Sequence, residues 1–334
     1  MLFIGDYNFF VEEQKGLRQL EYFEYINKIC GTDIPREIVT LWAKLFEAFQ
    51  NFLEEEIGFS KEQFDSKIEK DLLKIVFQEK VNSGEMDSGK YENNSISLKS
   101  ILLNDKEKLL LILAHELVHM LGKGDNSAGL VKYNQKIPHF IREKCQDHLN
   151  GLNRVSYINE MMTEYIAVKV VSKYFDVADN KYSLHFDDGS DAYIISKCIS
   201  YKEIMIYSET LNYIFDDKLM EVYFEDNFNF TDLLNQQKYR YIKKEFSDFY
   251  KSYIRYINGI KHWGKPTEVY SKSKFDGMSD AYKNLVEKYI SYRQPSKEQL
   301  NSLLECLLSN PIYFKGSSTS FYGHFAEEVR NQFL

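Results

Sequence analysis

Apolar positions recur along most of this chain with the 3.6-residue period of a helix. Residues 8–30 and 36–57 read as the first two helices. The second carries Ile38, Leu41, Trp42, Leu45, Phe46, Phe49 and Phe52 at helical spacing. A stripe of this kind is the packing face of a helix, and Glu54, Glu55 and Glu56 after it read as a solvated run. The period then changes. Leu72 to Lys80 reads as a strand, Asn82 to Gly89 is rich in turn residues, and Tyr91 to Ser100 holds the alternation Ser95, Ile96, Ser97, Leu98. A period of two predicts a half-exposed strand, so a β-hairpin is expected over this region.

The helical period returns after Asn104. Asn104 with Glu107 three residues on is an N-terminal capping signature, and Leu109 to Leu113 is an unbroken apolar run, so this helix is expected to be buried. Gly122 and Gly124 supply its stop. A polar, irregular stretch follows to about Asn153, with Pro138, His139 and His148. Tyr157, Ile158, Met161, Met162, Tyr165 and Ile166 then predict a helix over 156–170. Beyond Asp176 a second hairpin is expected, Tyr182–His185 and Tyr193–Ser196 about a turn at Asp187-Asp188-Gly189. The rest reads as helical, at about 201–215, 231–257, 279–294, 296–309 and 322–333, with Gly264 to Gly277 as a linker. The pattern gives a mainly α, α+β protein in three parts. These are an N-terminal helical part (1–70), a core holding the 104–121 and 156–170 helices (71–176), and a mainly helical C-terminal lobe (177–334).

Composition narrows the picture. At 334 residues, with 44% hydrophobic and 28% charged residues, the chain is an ordinary globular one, long enough for a large core. A net charge of −8 argues against nucleic acid as a partner. The aromatic-rich 231–257 segment therefore reads as core rather than as a surface for stacking bases. Cys30, Cys145, Cys198 and Cys306 are far apart, which suits free thiols in a reducing compartment better than a zinc knuckle or a disulfide scaffold. The start, Met1 to Asp6, has no basic region followed by an apolar core, so cytoplasmic residence is expected, with non-classical export as the alternative. No run of 18 apolar residues predicts an integral membrane segment.

The candidate chemistry lies in His115-Glu116-Leu117-Val118-His119. Two histidines four apart stand one turn above each other on one helix face. They can reach a single tetrahedral metal, and the Glu between them can hold a water there. The alternative is a chance match in a core helix. Buried His and Glu without a partner are costly, and a metal is a natural partner. Glu160 and Glu164 share a face of the later helix. No phosphate-binding Gly-rich loop and no Ser or Cys nucleophile motif accompanies them.

These residues resemble the zincin metallopeptidases, and in particular the gluzincin branch. There the HExxH histidines and a Glu from a later helix hold zinc. That Glu begins an ExxxD or ExxxE pattern, often after Asn, and Asn159-Glu160-Met161-Met162-Thr163-Glu164 matches it. The resemblance implies a zincin-like fold with zinc (Zn2+) on His115, His119 and Glu160. It further implies Glu116 as the general base for a zinc-bound water, and Glu164 orienting a ligand histidine. Two other third ligands are open. His115 to Asp125 reads HExxHxxGxxD, which resembles snapalysin-like metzincins and would make Asp125 the ligand. Phe325-Ala326-Glu327, after Tyr322 and His324, resembles the ligand helix of proteases like anthrax lethal factor. Tyr322, His324 and His262, beside Gly323 and Gly264, are candidate oxyanion donors. The implied activity is zinc-dependent hydrolysis of peptide bonds in a peptide or protein substrate, with an extended substrate added to an open sheet edge. The alternatives are a non-catalytic zincin-fold binding or regulatory protein, and an effector that cuts one partner.

Overall fold

The computed structural model describes residues 9–31, 34–79, 88–124, 127–132, 156–197, 202–225, 230–261 and 268–334. The chain forms two compact units, one from 1–121 with 166–177 and the other from 122–165 with 178–334. It is mainly helical, with small mixed sheets. Among the described residues no helix is long and apolar enough to cross a membrane.

In the first unit, α1 (Phe9–Cys30) and α2 (Arg36–Ile57) fall where the pattern places them. The α2 stripe is buried from Ile38 to Leu53, with only Leu41 half-buried. Gly58 ends α2 at φ 68, where its N–H bonds the carbonyl of Glu54 and the next N–H, of Phe59, bonds Leu53. A third helix, α3 (Lys61–Asp71), lies outside the expected set. Its signals are local: Ser60 and Gln63 form a full capping box, and Phe64 and Ile68, four apart, are buried.

A β-hairpin is present in the expected region, but both of its strands fall in the segment that the pattern reads as one. Residues 89–99 are two short strands, β2 (Gly89–Glu92) and β3 (Ser95–Lys99), folded at Asn93 and Asn94, whose φ values are 51 and 59. Two consecutive left-handed residues make a turn that matches strand twist, and Asn tolerates that region. β1 (Lys74–Gln78) pairs with β3 in parallel, so the order is β1-β3-β2 and β2 is an outer strand. α4 (Lys106–Leu121) follows a 3-10 turn at Ser100–Asn104. Its cap is Asp105, not Asn104: Asp105 Oδ1 accepts the N–H of Lys108 at 3.0 Å. The middle of α4 is buried all round, as its apolar run predicts.

The second unit holds a small hairpin of β4 (Ser127–Ala128) and β5 (Val131–Lys132), and the first half of α5 (Ser156–Tyr174). It also holds a four-stranded sheet ordered β8-β6-β7-β9. β6 (Asn180–Phe186) and β7 (Asp191–Ser196) are the expected second hairpin, with Gly189 at φ 84 in its turn. β8 (Val269–Tyr270) and β9 (Ile312–Phe314) have no counterpart in the sequence pattern; both are too short to show alternation. The helices α6 (Lys202–Met205), α7 (Ser208–Ile214), α8 (Lys218–Phe224), α9 (Phe230–Asn235), α10 (Lys243–Ile257), α11 (Lys272–Arg293), α12 (Lys297–Leu308) and α13 (Phe321–Phe333) complete the unit. The linker expectation fails over residues 268–277: β8 joins β6 and α11 begins at Lys272, carrying Gly277 inside it. Polar composition there marks an exposed helical turn. Aromatic residues of 231–257 are core, as expected: Tyr239, Phe246, Phe249, Tyr250, Tyr253 and Tyr256 are all buried.

Candidate metal centre

The candidate side chains stand on α4 and α5. His115 and His119, one turn apart on α4, have their Nε2 atoms 3.1 Å apart. The rings meet edge to face with centroids 4.8 Å apart. Glu160 on α5 joins them: one ligand atom from each of the three residues lies within 4.8 Å of the others. All three side chains are half-buried. Two imidazole nitrogens and one carboxylate oxygen are the donors of a zinc site that keeps a fourth position open. Ligands about 2.1 Å from a tetrahedral ion stand roughly 3.4 Å apart, so the histidine pair is near the required spacing. The donor set therefore fits a divalent transition metal.

Glu116 is buried at 7% exposure, on the side of α4 toward β2. Its Oε2 accepts the main-chain N–H of Tyr91 at 2.7 Å. A Cβ added to Gly89 would stand 2.6 Å from Ile112 Cγ2 and 3.0 Å from Glu116 Oε1, so β2 packs against α4 through a bare backbone. Glu164 is buried at 4% exposure, one turn beyond Glu160. Asn159 anchors the neighbouring hairpin: its Oδ1 accepts the N–H of Leu130 at 2.9 Å. Thr163 Oγ1 donates to the Asn159 carbonyl at 2.9 Å and lies 2.5 Å from the Tyr223 hydroxyl.

Gly122 has a role other than a conformational stop. It is not among the positive-φ glycines, and a Cβ there would meet Tyr223 Cε1 at 2.3 Å. Its small size admits the tyrosine ring. Gly129 combines both demands, with φ 57 and a Cβ position 2.2 Å from Asn159 Oδ1.

The weaker candidates have other surroundings. Tyr322 is fully buried, its hydroxyl 3.1 Å from those of Tyr207 and Ser279, and burial pushes its phenol above the ordinary range. It is a hydrogen-bonded core residue, which corrects its reading as an oxyanion donor beside a cleft. His324 is exposed on α13. Glu327 is an exposed partner of Arg330 at 2.6 Å, a surface pair rather than a ligand group. Asp125 and His262 lie outside the described residues, as do His139, His148, Cys145 and Cys198. Cys30 and Cys306 are not disulfide-bonded, and burial pushes the Cys30 thiol up to about 12.

The Tyr91 amide and the space at Gly89 leave no mark in the sequence. A main-chain donor has no residue-type signature, and a glycine beside turn residues reads as one more turn residue. No protein-family profile matches the chain, and comparison with curated proteins and with solved structures returns no match.

Proposed function

We propose that this protein is a zinc-dependent metallopeptidase of zincin type. The observation that supports it most is the convergence of ligand atoms from His115, His119 and Glu160 to within 4.8 Å, with Glu116 next to the first of them on the same helix. A zinc ion held by these residues supplies a Lewis acid that polarises a carbonyl oxygen and lowers the pKa of water to about 7. The chain's own groups do the rest. Glu116 takes a proton from the attacking water at a carboxylate oxygen and delivers it to the nitrogen of the leaving amine as the C–N bond breaks. Glu164 lies one turn from Glu160, where a carboxylate can accept the second N–H of a ligand imidazole and fix its tautomer. A protein that only bound metal or peptide would need no general base beside the ligand cluster, so Glu116 in that role favours hydrolysis over pure binding.

The test compares the full chain with Glu116→Gln on a library of quenched fluorescent peptides, with zinc measured by elemental emission. Both proteins should hold about one zinc ion per chain. Wild-type cleavage should vanish with a chelator and return with zinc. Glu116→Gln should be slower by at least ~100-fold, the typical share of a general base. Cleavage that survives in Glu116→Gln removes the base assignment, and a wild-type chain that takes up no zinc removes the whole reading.

A further inference from the structure

We propose that strand β2 positions Glu116 through its main chain: the Tyr91 N–H fixes one carboxylate oxygen, and the missing side chain at Gly89 fixes where the other can lie. The inference rests on the reading of Glu116 as the base. It makes Tyr91 and Gly89 positioning residues, since neither acts on substrate directly.

A glutamate on a helix reaches its target through three rotatable bonds, so the helix alone does not settle where its carboxylate stands. A base works only within about 2.6–3.2 Å of the proton it takes. A second fixed point is needed, and β2 supplies one. The Tyr91 N–H to Glu116 Oε2 distance of 2.7 Å is that of a charge-assisted bond. β2 is an outer strand, so its amides that do not face β3 look outward, and the carboxylate meets one of them.

β2 is itself well held. It pairs with β3 from Gly89↔Leu98 to Glu92↔Ser95. The Tyr91 hydroxyl donates to the Asp71 carbonyl at 2.8 Å, and the Asn94 side chain donates to the Lys70 carbonyl at 3.1 Å. The amide that meets Glu116 is thus mounted on a strand tied to the end of α3.

Gly89 adds the second constraint. Its φ is outside the left-handed region, so no conformational demand explains a glycine there. Space does. A Cβ would lie 3.0 Å from Glu116 Oε1 and 3.2 Å from Glu116 Cγ, as well as 2.6 Å from Ile112 Cγ2. Any side chain at this point would drive the carboxylate from its place or push β2 off α4.

Two measurements on the full chain test this. The first needs no substrate. In protein labelled with 15N-tyrosine, the Tyr91 amide is assigned by its loss in Tyr91→Phe, and its hydrogen exchange is followed. It should be protected in the wild type and exchange at least ~10-fold faster in Glu116→Ala, as expected when a hydrogen bond worth roughly 1.5–3 kcal/mol is lost. In Glu160→Ala it should stay within about twofold of wild type. Equal exchange in wild type and Glu116→Ala overturns the Tyr91 contact.

The second measurement separates packing from positioning. Gly89→Ala meets both Ile112 and Glu116, and Ile112→Leu removes the β-branched methyl from the first contact. In the double variant kcat should remain down by ~100-fold on a quenched peptide that the wild type cleaves, with KM within about twofold and zinc content unchanged, as for a base displaced by about 1 Å. Recovery of kcat to the Ile112→Leu level would mean that Gly89 serves packing alone, and would sink its part of the proposal. An active Glu116→Gln would sink the base reading and leave the exchange result standing. An inactive Glu116→Gln beside a fully active double variant would sink the Gly89 part while the base reading survives.

Discussion

Glu160 and Glu164 stand four apart on α5, the first half-buried and the second buried. In the proposed site the first would be a metal ligand and the second would orient a ligand imidazole, two roles that differ in what their loss costs. Glu160→Ala should therefore weaken zinc binding by more than the 10–100-fold typical of an outer-shell change, and lower the melting temperature of the zinc-loaded protein. Glu164→Ala should fall within that range. Glu327→Ala should leave zinc content at the wild-type level, because Glu327 is engaged with Arg330 on an exposed helix face. Asp125→Ala should do the same. Competition with a chromogenic chelator reads all four affinities. Full zinc occupancy in Glu160→Ala, with loss in Asp125→Ala, would transfer the third-ligand role to Asp125. The candidate pairs His115/His119 and Glu160/Glu164 were legible because i, i+4 spacing alone puts two side chains on one face. Tyr91 was not legible, since its contribution is an amide that every residue but proline carries.

Among the elements, the head of α4 separates two readings of the same short sequence. Asn104 and Asp105 are both good capping residues, and Glu107 is three residues beyond the first. In the structure Asn104 closes the preceding 3-10 turn, and Asp105 takes the Lys108 N–H. Asp105→Ala should cost about 1 kcal/mol in urea unfolding and Asn104→Ala only a few tenths, with the helix that bears His115 and His119 as the affected element. The reverse order would restore the Asn104 cap. The same lesson holds for β2 and β3. A run of ten residues with partial alternation reads as one strand. The break at Asn93-Asn94 depends on both residues entering the left-handed region, which a pairing partner rewards and a sequence pattern only allows.

Across the chain as a whole, tyrosine content shapes the response to pH. Tyr207, Tyr253, Tyr256 and Tyr282 are fully buried in the second unit, and burial holds their phenols well above the ordinary range. Burial pushes Tyr25 and Tyr213 up to about 12. An unfolded chain releases these protons near pH 10, while the folded chain keeps them. Above that pH the folded state binds more protons than the unfolded one, so stability falls as pH climbs through the window from about 10 to 12. In an alkaline titration, phenolate absorbance should rise in two stages. The second should coincide with loss of helical circular dichroism. A single stage near pH 10 with the dichroism intact would contradict the buried phenols.

Residue spacing was enough to define the helices whose apolar stripes are long enough to repeat, the hairpin about Gly189, the aromatic core of the second unit and the motif residues on α4 and α5. Each follows from positions along one element, and that spacing survives whatever the element packs against. Packing in three dimensions was needed for the parallel pairing of β1 with β3, the strands of two and three residues, and the meaning of three glycines. Gly89, Gly122 and Gly129 look alike in a sequence. Their roles differ because Glu116 and Ile112 approach the first, Tyr223 the second, and Asn159 with a left-handed backbone the third. Those neighbours come from distant parts of the chain or from the other side of a turn, and close packing alone brings them within 3 Å of a missing Cβ.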